Sequence, residues 1–508
     1  MVAFVVGSLR SWLERGQVAV GRQRLRLQRH SHSRETVLLR ALVVAVVAFG
    51  LGLRVWILRQ PLLGGYLDSD EAVPGLMARH LLHGEFSTFY WGQAYAGTTE
   101  VALVATIFGI VGSSTFALRL VPMLLYALGA VLVWRVGRRM IGEPGATVAG
   151  LLFWISPAYF VFRSTRETGY QGALLLLSLA TMLFALRLAE RPRRPDAAAF
   201  GLAVGLGWWT SIQSALVVVP LLGWLTWRQP RFWRFGRTIG VAAYVGAFPW
   251  VVWNLRHDWQ SLHVASADQS SYGSRLGGFF THALPTALGL RVPWVLDWLP
   301  DQVVGVPAFV ALVAALVVIV SRRRRALELP IVVALTFPFL YAGSSFTANR
   351  LEPRYLILLA PLLSLFLGAL LAELRAAAAG LSLAGVLCIV ALLRLVDAGG
   401  IAPGAPDVRA PARLDPLVRT LEREHVTRAW ADYWVAFRVT FVTRERVIVA
   451  PTESARYPRY NEVVQADPRS AHIFVAGTET EPLARHALLA AGFRRIRTGD
   501  FVVYVPSA

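Results

Sequence analysis

The segment Tyr66–Glu100, YLDSDEAVPGLMARHLLHGEFSTFYWGQAYAGTTE, gathers Asp68, Asp70, Glu71, Glu85 and Glu100 into one short interval. A carboxylate there can take the proton of an attacking hydroxyl or help to hold a cation. Asp68 also reads as an N-cap with Glu71 closing a capping box, and Pro74 fits a first helical turn. Capping occupies one or two of these acids and leaves the third unexplained beside a bilayer, where desolvating a carboxylate is costly. The two readings are compatible, and Asp70, Glu71 and Asp68 together form the catalytic candidate. Beyond them Val73, Leu76, Met77 and Leu81 recur at helical spacing, with Glu71, Arg79 and His83 off that stripe. This predicts an amphipathic helix lying along a membrane surface, with its acids at the boundary of water and lipid.

The surrounding chain supplies such a boundary. Its 508 residues are 55% hydrophobic and include 17 Trp, with a mean hydropathy of +0.51, which predicts a polytopic membrane protein. The formal charge of +20 is carried by arginine alone. These arginines cluster at the ends of apolar runs, the positive-inside pattern, so a nucleic-acid partner is not expected and a lipid bilayer is. Cys388 stands alone in an apolar run and offers no disulfide framework. Residues 1–36 read as an Arg-rich cytoplasmic tail, and the apolar run that follows is too long for a cleavable signal.

A spanning helix needs about 20 apolar residues. Such runs fall at 37–58, 117–136, 146–163, 172–188, 197–210, 212–227, 236–253, 302–320, 328–346, 354–372 and 378–397, which makes about eleven transmembrane helices. Counting 100–112 as a span would turn the Arg135, Arg138 and Arg139 end outward, against the charge rule, so it is placed in the interface. The outer loops are then 59–116, 163–171, 254–301 and 347–354, within a membrane domain over 37–398. Loop 254–301 reads either as a lid or as an interfacial helix pair anchored by Trp294 and Trp298. A Pro/Gly-rich linker, 399–412, leads to a small extracytoplasmic α/β domain over 413–508. Helices are expected at Leu414–His425 and Glu481–Ala491, strands at Thr427–Trp430, Val447–Val449 and His472–Val475, and a hairpin at Phe493–Val505. Its aromatic groups Ala431–Trp434 and Tyr457–Tyr460 suit glycan contact or, more conservatively, core packing.

An Arg-rich start, one span and an outer loop in which Asp70-Glu71 heads an amphipathic helix resemble the polyprenyl-phosphate-sugar-dependent glycosyltransferases of the GT-C fold. The nearest groups are the protein O-mannosyltransferases and the bacterial aminoarabinose and Rgt-type transferases. Phe116-Ala117-Leu118-Arg119-Leu120, Trp154-Ile155-Ser156-Pro157 and Glu352-Pro353-Arg354-Tyr355-Leu356 add to the likeness, which covers about Leu38 to Leu395. The resemblance implies an all-α polytopic GT-C-like domain that transfers a sugar from a polyprenyl-phosphate donor to an envelope glycan, lipid or protein on the outer face.

Within that resemblance Asp70 corresponds to the general base, while Glu71 and Asp68 orient the acceptor or hold a cation. A phosphate leaving group calls for cations, and the arginine fork matches its oxygens. Arg354 and Arg350 are the first candidates; Arg163 and Arg166 come second, with snorkelling at a span end as the plain alternative. Glu167 stands where related enzymes carry a second acid, so a divalent cation such as Mg or Mn, if one binds, would use Asp68, Asp70 and Glu167. Glu100, after Gln93 and Tyr95, stands where aminoarabinose transferases have a Lys-Pro-Pro signature, absent here; it is a substrate contact or a helix-dipole partner. A transporter or flippase of lipid-linked saccharides is the alternative, although such proteins place ionisable groups mid-span.

Overall fold

A computed structural model describes residues 40–63, 66–263, 270–344, 354–400, 413–453 and 455–507. The tail 1–36, Arg350 and nearly all of the linker lie outside the described residues. The chain divides into two compact units, Met1–Leu51 and Gly52–Ala508. The described part of the first is the opening stretch of helix α1 (Arg40–Arg59), which continues into the second.

The second unit then runs through α2 (Ser69–Leu82), the strands β1 (Phe89–Tyr90) and β2 (Gln93–Gly97), α3 (Thr99–Val111), α4 (Thr115–Arg138), α5 (Gly142–Ile155), α6 (Ala158–Arg163) and α7 (Gln171–Glu190). The helices α8 (Arg194–Thr210), α9 (Ala215–Arg228), α10 (Gly236–Arg256), α11 (Tyr272–Gly278), α12 (Leu284–Ala287), α13 (Gln302–Arg322), α14 (Glu328–Gly343), α15 (Ala360–Glu373) and α16 (Ala377–Asp397) follow.

Among the described residues, six helices are long and apolar enough to cross a membrane: α1, α4, α7, α10 with the turn from Pro230, α13 and α16. Their outward faces expose Leu128, Val241, Val245, Val317 and Val386, side chains that water would not favour and acyl chains would. The protein is a multi-pass membrane protein. The other five expected spans correspond to shorter helices, α5, α8, α9, α14 and α15. Proline accounts for part of the shortening: Pro157 divides the run 146–163 into α5 and α6, and Pro361 opens α15 only after a tight turn over Arg354–Leu358. Helix α3, with 13 residues, is about 20 Å long.

The C-terminal part carries α17 (Asp415–Arg423), β3 (Arg428–Ala431), α18 (Tyr433–Val442), β4 (Ile448–Pro451), α19 (Pro458–Gln465), β5 (Ala471–Val475), α20 (Thr480–Ala490), β6 (Phe493–Thr498) and β7 (Phe501–Pro506). Its five strands form one mixed sheet in the order β4-β3-β5-β7-β6, over a core that includes Leu417, Val435, Val439, Val449, Ile473 and Val503. Helices α18 and α19 are additional to the expected elements. Both begin at the aromatic clusters, and both matter below.

Helix α2 does not lie free on a membrane surface. Val73, Ala72, Leu76 and Ala78 are fully buried, because α3 covers one side and α18 the other. The approach to α18 is close enough that a Cβ on Gly75 would collide with the Phe441 ring. Arg79 donates to the Phe441 carbonyl at 2.9 Å and lies over its ring at 4.1 Å, while Ser69 donates to the Tyr433 carbonyl at 2.5 Å. The C-terminal sheet is thereby docked onto the acidic segment.

Below the Ser69 end, His80 completes the docking. Charged, it donates from Nδ1 to Glu85 and from Nε2 to Glu445, each at 2.9 Å, and Tyr460 donates to Glu445 at 2.7 Å. Burial opposes the charge on His80, but the two carboxylates outweigh it and raise the pKa above the ordinary 6.5. Glu445 is pushed up by burial and pulled down further by His80 and Tyr460, so it ends below 4.5. The histidine contribution to docking is therefore complete below about pH 6.5 and is lost as pH rises through the raised value. That of the carboxylates is present above about 4.5 and is lost as pH falls through their lowered values. Protection of the α18 amides, corrected for the intrinsic base-catalysed exchange rate, should be greatest between these limits and lower at pH 8.5 than at pH 6. His80→Gln should abolish that difference on the alkaline side.

Candidate active site

The three acids that head α2 are turned in different directions, as successive helical residues must be. Asp68 caps the helix, accepting from the Glu71 amide at 2.9 Å, and the capping box is present. Glu71 is completely buried. It accepts from Arg119 Nε at 2.9 Å and from the same guanidinium at 2.7 Å, and from Arg166 at 2.8 Å. Arg166 reaches Asp68 as well at 3.0 Å, and both arginines anchor a backbone carbonyl, those of Leu63 and Tyr66. Burial opposes the charge on Arg166, but Glu71 and Asp68 more than compensate and raise its pKa. Glu71 thus acts as a clasp that ties α2 to α4 and to the loop after α6, and nothing leaves it free to meet a substrate.

Asp70 faces the other way, with its side chain 40% exposed. Tyr433, at the start of α18, donates its hydroxyl to Oδ1 at 2.6 Å, and Arg456 donates to the same oxygen at 3.2 Å. Tyr90 donates to the Asp70 carbonyl at 2.9 Å. Among the described residues no hydrogen bond falls on Oδ2. Burial first, then the adjacent Asp70 carboxylate, push the Tyr433 phenol well above its ordinary range, so it stays a donor. Tyr433 and the Asp70 carboxylate likewise hold the charge on Arg456 against burial.

Asp70 borders a cavity of about 80 Å³ whose walls bring together Asp68, Gln93, Tyr95, Arg163, Arg166 and Arg354. Seven expected residues, Asp70 included, therefore do converge on one pocket. Arg163 donates to the Gln171 amide oxygen at 3.0 and 3.1 Å, which fixes its guanidinium at the pocket wall instead of letting it snorkel. Trp294 lines the same pocket, 8% exposed and packed on Tyr159 and Phe162 at 5.3 Å each, so it is no belt anchor. Trp298 lies over Arg291 at 4.5 Å.

Glu100 and Glu167 stand behind the wall. Glu100 accepts from the Ala173 amide at 2.9 Å and Glu167 from the Gly169 amide at 2.7 Å. Burial raises both carboxyls; the neighbouring Glu100 raises Glu167 further, whereas the Ala173 amide and Glu167 pull Glu100 part of the way back down. A donor set for a divalent cation is not assembled: Asp68 is committed to Arg166, Asp70 to Tyr433 and Arg456, and Glu167 is buried behind the wall on the Gly169 amide. Among the described residues no cluster of three or more His, Cys, Asp or Glu side chains could hold a metal ion.

Arg119, Tyr433 and Arg456 are the contributors that the sequence left unassigned. Arg119 lies in the quoted Phe116–Leu120 motif, and Tyr433 and Arg456 lie in or beside the two aromatic clusters. The core-packing reading of those clusters holds for Tyr460, which is 4% exposed, and fails for Tyr433, whose hydroxyl is spent on the pocket.

Residues 101–253 match the family model described as dolichyl-phosphate-mannose-protein mannosyltransferase. No curated protein sequence matches the chain. Among solved structures, ArnT from Cupriavidus metallidurans bound to undecaprenyl phosphate aligns over 93% of this chain and 98% of its own, at 13% identity and a TM-score of 0.63. The apo form of that protein aligns over 92% and 98%, at 14% identity and 0.61. The oligosaccharyltransferase of Archaeoglobus fulgidus, in complex with Zn and sulfate, aligns over 85% and 67%, at 12% identity and 0.50. The chain shares the fold of these GT-C glycosyltransferases.

Proposed function

We propose that this GT-C chain is an inverting membrane glycosyltransferase that moves a sugar from a polyprenyl-phosphate donor to a cell-envelope glycan, lipid or protein on the outer face. One observation carries the reading: Asp70, the half-exposed acid, is held by two donors at the edge of a pocket whose other ionised walls include Arg163, Arg354 and Arg456. The undecaprenyl phosphate in the ArnT structure supports a carrier of that kind. On this reading 1–36 is cytoplasmic, 37–398 is the membrane transferase domain of about eleven spans, and 413–508 is an extracytoplasmic domain.

The acceptor oxygen forms a bond to the anomeric carbon while the bond from that carbon to the phosphate oxygen breaks. The hydroxyl proton passes to Asp70, at Oδ2, and the electron pair of the broken bond leaves with polyprenyl phosphate. Attack opposite to the leaving group inverts the anomeric centre. Arg354 and Arg163 neutralise the charge that develops on the phosphate, a task to which guanidinium geometry is suited. Tyr433 and Arg456 touch no reacting atom; they keep the base pointed at the acceptor, which makes the C-terminal sheet part of the machinery.

The test is transfer of radiolabelled sugar from a panel of polyprenyl-phosphate sugars to envelope extract by purified protein in lipid. Labelled product is expected, and folded protein that transfers from none of the donors removes the reading. With the active donor in hand, Tyr433→Phe should lower kcat by about tenfold or more, the lower end of what one hydrogen bond to a charged group contributes. KM for the donor should move little, since Tyr433 does not line the pocket that holds Arg163 and Arg354. A kcat equal to that of wild type would show that Asp70 needs no such support.

A further inference from the structure

The pocket opens past Tyr90, Gln93, Tyr95 and Arg456, which line it and also a second cavity of about 950 Å³. This cleft is walled by the segment around β1 and β2, by the outer end of α10 with the turn that follows, and by Tyr457–Arg459 before α19. Clefts of ~300–1,000 Å³ are the size that holds ligands of several hundred daltons. Asp70 stands at the junction, bonded to Arg456 at 3.2 Å and, through its carbonyl, to the Tyr90 hydroxyl at 2.9 Å. A molecule lying in the cleft would present its end to the carboxylate.

The wall chemistry selects what that molecule is. Aromatic faces are abundant: Trp91 stacks on Tyr457 at 4.0 Å, and Trp253 meets Phe89 edge-on at 4.8 Å. Between them Gln260 offers an amide that both donates and accepts, and Gln93 offers its NH2 group while its oxygen accepts from Arg456 and Tyr95. The formal charges are already matched, Arg456 with Asp70 at 3.2 Å, Arg459 with Glu85 at 3.6 Å and His80 with Glu85 at 2.9 Å. Among the described residues that line the cleft, each arginine and His80 already faces a carboxylate, and His263 is bonded to the Trp259 carbonyl, so a phosphorylated or carboxylated ligand would have to compete for its cations. Flat apolar rings interleaved with neutral hydrogen-bonding groups fit a molecule with alternating C–H faces and hydroxyls.

We infer that this cleft holds the acceptor and that the acceptor is a neutral, polyhydroxylated saccharide, of which one hydroxyl is delivered to Asp70 between Tyr90 and Arg456. The inference rests on the glycosyl-transfer reading and narrows its acceptor class from three to one.

Binding is measured by saturation-transfer NMR on the full chain in lipid nanodiscs, without donor. The probes are the neutral oligosaccharides mannotriose and maltotriose, a Ser/Thr-rich dodecapeptide and a diphosphorylated glycolipid. At least one oligosaccharide should saturate, and Trp253→Ala should weaken it roughly fivefold, as expected for the loss of one aromatic face. Gln260→Ala, at an exposed position where refolding is not at issue, should weaken it in the same direction. Saturation by the peptide or the glycolipid alone, no saturation by any probe, or oligosaccharide binding unaltered in both variants overturns the inference. Donor turnover is assayed separately. Turnover without saccharide binding removes the cleft and leaves the transferase reading; saccharide binding without turnover from any donor does the reverse.

Discussion

Asp70→Asn lowers sugar transfer by about 10²–10⁴-fold, the usual worth of a positioned proton acceptor, and leaves the melting temperature close to that of wild type. Asparagine keeps an oxygen for the Tyr433 hydroxyl and the Arg456 guanidinium, so the contacts at 2.6 and 3.2 Å survive in neutral form. What is lost is the ability to accept a proton at the second carboxylate oxygen. The variant should still bind the polyprenyl-phosphate donor, because Arg163 and Arg354, the arginines proposed to meet its phosphate, are untouched at the pocket wall. Donor binding by tritiated carrier sugar, read beside single-turnover transfer, separates the two effects. Loss of both together would mean that Asp70 supports the pocket and not the proton. A rate within threefold of wild type would pass the role of base to Asp68, which the pocket also exposes.

The acid cluster was legible because it is local: cap, capping box and helix face are all set within four residues of Asp68. The arginines at span ends were legible as well, since charge beside an apolar run is rare and its reasons are few. The partners of those acids were not, because they arrive from far along the chain. Tyr433 is 363 residues from Asp70 and Arg456 is 386, and neither helical nor strand periodicity carries that distance. Arg119 shows the limit from the other side. Its motif contributed to the family likeness, yet nothing in Phe116–Leu120 says that the guanidinium turns inward to Glu71. The apolar stripe of α2 misled for a similar reason. A face that would suit a lipid surface suits the flank of α18 equally well, and the sequence does not say which of the two covers it.

Replacing Glu71 should do the opposite of replacing its neighbour. Glu71→Gln removes a charge that is 1% exposed and leaves Arg119 and Arg166, 7% and 2% exposed, without the buried carboxylate they share, although Asp68 and two carbonyls still accept from them. Breaking a buried pair from one side typically costs about 3–5 kcal/mol, a large part of the ~5–15 kcal/mol that holds a folded domain. The expected result is a clearly lowered melting temperature and faster amide exchange in α2, with transfer reduced in proportion to the folded fraction. Arg119→Met alone should be costly too, since Glu71 would keep only Arg166 and the long capping contact with the Asp68 amide at 3.5 Å. The double variant Glu71→Leu with Arg119→Met should recover part of the loss, as apolar replacements of a buried pair can, and the cycle gives the coupling directly. If Glu71→Gln melts like wild type and yet transfers no sugar, Glu71 is a reacting group and the clasp is incidental. Ion pairs of 2.7–2.9 Å on every side of its carboxylate argue that the clasp is its task, and that Asp70 can be spared for chemistry because Glu71 holds the helix beneath it.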